Sequence, residues 1–311
     1  MLLLVAVCWG LTFFSTKSLL TRLPVTDFLG FRFGVAAVIL VACAPKSLRA
    51  RRVVWLRGAL IGCVFAAAQL TQTFGLPHTT ASISGFVTGL YVLFTPLLGA
   101  VLFRVKPRPL VWVAVVLALV GLAVLATRPG QVSFGIGEWL TLVSALLWGL
   151  HITLIGRWAS PGDVMSLTVI SVIVGALIFL AGGLRDGLTL PSTPGDWVWM
   201  AYFAIVVGAG SEFAQFWAQA RVEASRASVL MVTEPLWAAV FAVLFGGESV
   251  TWRLLMGGGL MAVGMVMAIR ASPPEVPPPQ SSILTAVPSA SNVVPGGTSS
   301  DMSARPIGPS S

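Results

Sequence analysis

The chain has 311 residues, of which 56% are hydrophobic and only 10% charged, with a formal net charge of +8. Soluble domains carry roughly 45–50% apolar and about 25% charged residues, so this composition excludes a surface that water alone can solvate. The basic residues sit in short connections between apolar runs rather than on an aromatic-interleaved basic face, which argues against nucleic acid as a partner.

Apolar runs bounded by charge, Pro and Gly predict ten membrane spans, each near the roughly 20 residues that cross a hydrocarbon core of about 30 Å. In the first half they cover residues 2–20, 27–44, 56–75, 80–103 and 108–126. In the second half they cover 136–156, 163–181, 196–217, 224–246 and 252–270. The first run lacks a basic start and a following small-residue cleavage site, so it is read as a retained helix near a truncated or misplaced start rather than a secretory signal. From residue 272 the composition turns to Pro, Ser, Gly and Thr, the mark of a disordered tail over 272–311. Cys8, Cys43 and Cys63 show no CxxC spacing and read as packing residues.

Alternating the loops between the two membrane faces tests the count. One face receives Lys46, Arg49, Arg51, Arg52, Arg57, Arg104, Lys106, Arg108, Arg157, Arg221, Arg226 and Arg270. The other receives Lys17, Arg22, Arg128, Arg185 and Arg253. By the bias of Lys and Arg toward cytoplasmic loops, both termini are expected in the cytoplasm, in a plasma (inner) membrane.

Two landmarks recur at one offset. Trp9-Gly10 is matched by Trp148-Gly149, and Phe94-Thr95-Pro96-Leu97 by Thr233-Glu234-Pro235-Leu236; 148 − 9 and 235 − 96 are both 139. Five spans is an odd number, so consecutive copies insert with opposite orientation and form an inverted repeat. The expected fold is all-α, about ten transmembrane helices as two inverted five-helix repeats over residues 1–130 and 131–271.

At these residues the sequence resembles the EamA family of the drug/metabolite transporter superfamily. The resemblance covers about residues 5–270. It rests on the Trp-Gly near the start of each half, Phe31-Arg32-Phe33, and the run Ser84-Gly85-Phe86-Val87-Thr88-Gly89-Leu90-Tyr91. In the second half it rests on Ala224-Ser225-Arg226-Ala227, Glu234-Pro235-Leu236 and Gly246-Gly247-Glu248. The first half departs where Arg104-Val105-Lys106 replaces a Gly-Glu pair. What the resemblance implies is export or uptake of a small metabolite or drug by alternating access.

Candidates for that route are polar groups inside apolar spans. A charge at the bilayer centre costs at least roughly 2.5–3.5 kcal/mol, so it faces a cavity or a partner. Arg32 either meets an anionic group or serves structure by snorkelling or pairing. Glu212, Gln215 and Gln219 form one helical stripe, with lining the favoured reading over interhelical hydrogen bonding. Gln69 and Gln72 lie one turn apart in span three, beside Thr73. Glu234 precedes Pro235, where proline is expected to free helical carbonyls, and its carboxylate is either a proton site or a partner of Arg32. Lys17 marks a cavity mouth or a snorkelling end. His151 has the chemistry to titrate near neutral pH, although a lone His is more often a packed one. Trp9, Trp148 and Tyr91 have interfacial anchoring as their default, with Tyr91, ahead of the expected Pro96 break, the better lining candidate. Gly30 and Gly34, Gly58 and Gly62, and Gly85 and Gly89 carry small-xxx-small spacing for close helix packing.

The expected function is secondary transport of a small-molecule substrate, with proton coupling resting on Glu212 and Glu234. No GxxxxGK[ST] loop, metal-ligand cluster, HExxH or Gly-x-Ser-x-Gly motif is present, so no cofactor, no metal and no enzyme activity are expected. An intramembrane enzyme and a non-transporting receptor or assembly factor are the alternatives. Substrate identity, transport direction and a homodimer are left open.

Overall fold

The computed structural model describes residues 2–103, 108–128, 131–132, 134–184, 187, 189–221, 231 and 233–271. Arg104, Lys106, Arg185, the run Ala224-Ser225-Arg226-Ala227 and the expected tail lie outside the described residues.

Helices dominate because hydrocarbon offers no partner for backbone N–H and C=O groups, so each crossing segment must satisfy its own. In the first half these are α1 (Leu2–Leu19), α2 (Val25–Cys43), α3 (Arg52–Gly75), α4 (Ala81–Gly89), α5 (Tyr91–Phe103) and α6 (Pro109–Leu125). Residues Thr127–Arg128 (β1) pair antiparallel with Gln131–Val132 (β2) in the connection. The second half follows with α7 (Ile136–Trp158), α8 (Val164–Gly183), α9 (Pro194–Tyr202), a π-helical segment (Phe203–Ser211), α10 (Glu212–Gln219), α11 (Glu234–Leu244) and α12 (Trp252–Ala271).

Among the described residues eight helical stretches are long and apolar enough to cross a membrane; α4 with α5 forms one, and α9 through α10 another. Two shorter apolar helices, α6 and α11, accompany them. The molecule is a multi-pass membrane protein. Rows of large apolar side chains, including Trp112, Val116 and Leu119 on α6 and Leu255, Met256 and Val263 on α12, face outward as a lipid-solvated surface must.

Glycine lets the helices approach. A Cβ on Gly121 would lie 2.6 Å from the Gly257 carbonyl oxygen, one on Gly62 would lie 2.7 Å from the Ser171 carbonyl, and one on Gly10 would lie 2.5 Å from Trp237 Cβ. In this way α6 packs on α12, α3 on α8 and α1 on α11; α2 also packs on α8, α4 on α11, and α3 and α5 on α7.

Four local expectations are corrected. The break in span four falls at Leu90, whose carbonyl accepts from Leu93 N and Phe94 N as α5 starts, while Pro96 sits inside α5. Pro235 occupies the first turn of α11, where no intrahelical N–H is needed, so it opens that helix instead of breaking it. Arg57, read as a loop residue, lies in α3 with its guanidinium 5.8 Å from the Trp158 ring centroid. Cys43 and Cys63, read as packing residues, are exposed on the helix surface.

Candidate functional site

Between the two halves lies a narrow central cavity with a free volume of about 40 Å³, on the order of three water molecules. Helices far apart in sequence build it: α2 supplies Arg32, α3 supplies Gln69 and Gln72, α5 supplies Tyr91, α10 supplies Glu212 and Gln215, and α11 supplies Glu234. Seven of the residues proposed from sequence therefore converge on one space. The remaining two lie elsewhere. Lys17 lines a separate vestibule near one end of the bundle, and His151 is fully buried beside Trp148.

Arg32 reaches the cavity because α2 enters the bundle with Phe28, Leu29 and Phe33 buried around it. Its guanidinium carbon lies 4.5 Å from the Phe33 ring centroid and 5.2 Å from that of Phe203, so two aromatic faces substitute for water. Glu212 is close enough to act electrostatically on Arg32 without a direct ion pair, and Arg32 Nε has no hydrogen-bond partner. Glu212 itself is aimed by the π-helical segment. That stretch, Phe203–Ser211, carries Gly208 and Gly210 and widens the helix just before the carboxylate; such insertions occur mostly at functional sites.

On the opposite wall the Tyr91 hydroxyl lies 3.2 Å from Glu234 Oε2 and 3.1 Å from the Met231 carbonyl oxygen. Gln72 Nε2 donates to Thr88 Oγ1 at 3.0 Å. Gln215 is wholly buried with neither its amide oxygen nor its nitrogen partnered. Trp9 and Trp148 also line the cavity, with ring centroids 6.3 Å apart, and Trp9 Nε1 donates to Ser211 Oγ at 2.8 Å. These two residues, one from each half, are cavity walls rather than interfacial anchors. Sequence reasoning did not single out Phe13, Ile152 and Met231, which complete the lining; an apolar residue in an apolar span carries no signal of its own.

At the Lys17 end a wider vestibule of about 420 Å³ is lined by Lys17, His78, Thr79, Thr80, Glu138 and Arg253, among others. Lys17 Nζ donates to the Thr79 carbonyl, Thr79 Oγ1 donates to Glu138 Oε1 at 2.9 Å, and Gly135 N donates to Glu138 Oε2 at 2.8 Å. Glu248 accepts from Ala81 N at 2.6 Å and from Ser82 N at 3.2 Å, capping α4 from the other half of the chain. The Asp196 carboxylate pairs with Arg22 at 2.6 Å, and that hydrogen bond holds the guanidinium pKa above its ordinary value. Phe13, Leu76, Ala81, Ala238 and Ala242 form an apolar cluster. Of these, Phe13 lines the cavity, while Leu76 and Ala81 flank the vestibule-lining run 77–80 in sequence.

The EamA-like transporter family model matches residues 1–127 and again 135–270. The chain belongs to the EamA-like transporter family. An "Uncharacterized transporter" of Archaeoglobus fulgidus is 26% identical over 273 residues, spanning 86% of this chain and 83% of that protein. The "Uncharacterized inner membrane transporter YedA" of Escherichia coli K12 is 24% identical over 269 residues, spanning 84% and 87%. A solved structure titled "Crystal structure of protein" superposes with a TM-score of 0.67 over 87% of this chain and 96% of that one, at 17% identity, which shows a shared fold. As an EamA-like family member the chain is a membrane transporter, and its matched segments hold every cavity residue named above.

Proposed function

We propose that the chain is a secondary transporter that carries a small metabolite or drug-like solute across the plasma (inner) membrane by alternating access. The central cavity is the substrate site. The observation that carries this reading is the convergence of Arg32, Glu212, Gln215 and Glu234, spread over residues 32–234, on one enclosed space inside an apolar bundle. Burying these groups costs several kcal/mol, which is sensible only where a polar solute or water replaces the lost solvent.

In this reading the chain is ten helices in two inverted five-helix repeats, residues 1–130 and 131–271, with both termini cytoplasmic. Helices related by the 139-residue offset pack against one another: α2 with α8, and α6 with α12. Pairing of each helix with its own counterpart is what a twofold relation produces at its axis, and the Trp9–Trp148 contact sits there too. At about 40 Å³ the cavity is too small for a metabolite as it stands. Rocking of one half against the other enlarges it and opens the Lys17 end, which is the outer end, or the opposite, inner end in turn.

Arg32 provides a fixed cation, Glu212 and Glu234 provide carboxylates, and the carboxylates are the candidate proton carriers for coupled export. The chain's work is carriage without chemical change, with no cofactor.

The test is transport by the purified protein in liposomes against a substrate panel. The wild type moves at least one solute, and Glu212→Gln and Arg32→Ala each slow it at least tenfold at unchanged protein content. Both variants carrying solute at the original rate would refute the site. Flux indifferent to an imposed pH gradient would refute proton coupling alone.

A further inference from the structure

Seven buried side-chain polar atoms without a hydrogen-bond partner lie on two adjoining helices: Trp148 Nε1 and both His151 ring nitrogens on α7, and both amide atoms of Gln215 and Gln219 on α10. Gln215 is 0% exposed and Gln219 8%. At a spacing of four residues they share one face of α10, with Gln219 about 6 Å farther from the cavity than Gln215. The two helices meet here: the His151 ring on α7 lies 5.9 Å from that of Phe216, the residue after Gln215 on α10. Neither apolar packing nor hydrocarbon satisfies an amide or imidazole nitrogen, so this seam is built for molecules that bring their own hydrogen bonds.

The repeat offset gives a second, separate argument. Subtracting 139 maps Trp148 to Trp9, His151 to Thr12 and Gln219 to Thr80. Trp9 and Thr12 line the cavity and Thr80 lines the vestibule at the Lys17 end. The seam therefore occupies, in the inverted copy, the place that the vestibule route occupies in the first copy. Gln215 maps to Leu76, part of the apolar cluster that also holds cavity-lining Phe13. The two routes differ at this point: the outer one is interrupted by apolar side chains, the inner one by amides.

We propose that the α7–α10 seam is a hydrated half-channel joining the central cavity to the cytoplasmic face, with Gln215 and Gln219 as its polar rungs for water and for solutes rich in hydroxyl, amide or charged groups. This rests on the inverted-repeat transporter reading for its direction. The hydration itself rests on the unpartnered groups.

The experiment uses the full-length chain with Cys8, Cys43 and Cys63 replaced by alanine, in sealed vesicles of either orientation. Gln215→Cys, Gln219→Cys and the outward-facing Trp217→Cys are exposed to a membrane-impermeant cationic methanethiosulfonate. Modification of positions 215 and 219 from the cytoplasmic face at least tenfold faster than of position 217 is expected. Equal rates at all three, or modification from the opposite face only, would overturn the proposal. Hydroxyl-radical footprinting of the unsubstituted protein removes any dependence on variant folding: Trp148 is oxidised several-fold faster than lipid-facing Trp112, and parity would count against the half-channel. A chain that labels as expected but moves no solute would sink the transport reading and leave the hydrated seam standing; active transport without labelling would do the reverse.

Discussion

Gly85 offers the sharpest test of how the cavity walls are held. A Cβ added there would meet Ala238 Cβ at 2.5 Å, with its next neighbours at 3.9 Å, so a single methyl–methyl clash decides the outcome. Restoring an ordinary contact of at least 3.4 Å requires 3.4 − 2.5 = 0.9 Å of separation between α4 and α11. Overpacking of this kind costs about 1–3 kcal/mol. Because α5 continues from α4, the same shift strains the 3.2 Å contact between Tyr91 and Glu234. Gly85→Ala is therefore expected to lower the melting temperature of the detergent-purified protein by several degrees, followed by tryptophan fluorescence. Moving the methyl across the interface reverses the clash: the double variant Gly85→Ala with Ala238→Gly should return to within about 1 kcal/mol of wild type, the remainder being the helix cost of glycine in α11. A neutral Gly85→Ala, or a double variant no more stable than the single, would refute the packing argument.

Three further outcomes are expected. Tyr91→Phe removes the single phenolic proton shared between Glu234 and the Met231 carbonyl, at about 1–3 kcal/mol for a buried group left unpaired, and should lower both thermal stability and solute flux; full retention of both would show that the phenol is incidental. Glu248→Ala leaves Ala81 N and Ser82 N without their acceptor, a capping loss of about 0.5–2 kcal/mol, whereas Glu248→Gln keeps an oxygen in place and should lose less. Proteolysis or thiol labelling at the Lys17 end ranks the two. Asp196→Asn, removing an ion pair whose Arg22 partner is 42% exposed, should lower the melting temperature only slightly, and by still less in high salt; a large, salt-independent loss would contradict that.

The sequence carried most of the cavity because hydrocarbon makes polar residues conspicuous. Arg32, Gln69, Gln72, Glu212 and Gln215 stand out within apolar runs, and their helical spacing puts them on inward faces. What stayed hidden depends on backbone events with no compositional mark. The turn at Leu90 follows Gly89, whose small-xxx-small spacing with Gly85 points to helix packing rather than to a turn, and the π-helical stretch before Glu212 differs from an α-helix only in the register of its hydrogen bonds. Glu138, at the start of a predicted span, and Glu248, in a predicted loop, carry no sign in a linear reading of their partners, Thr79 and the α4 N-terminus, which come from the other half of the chain. The Trp pair was read as anchors because membrane statistics place aromatic residues at interfaces, and only packing distinguishes a wall from an anchor.

The π-helical stretch also decides where the chain tolerates a change of length. A segment wound with more residues per turn than an α-helix holds slack, so removing one residue within Phe203–Ser211 is absorbed by tightening to α geometry, and Glu212 keeps its heading. The same single deletion in the middle of α3, which has no such reserve, swings everything beyond it by about 100° and carries Gln69 and Gln72 off the wall they now form.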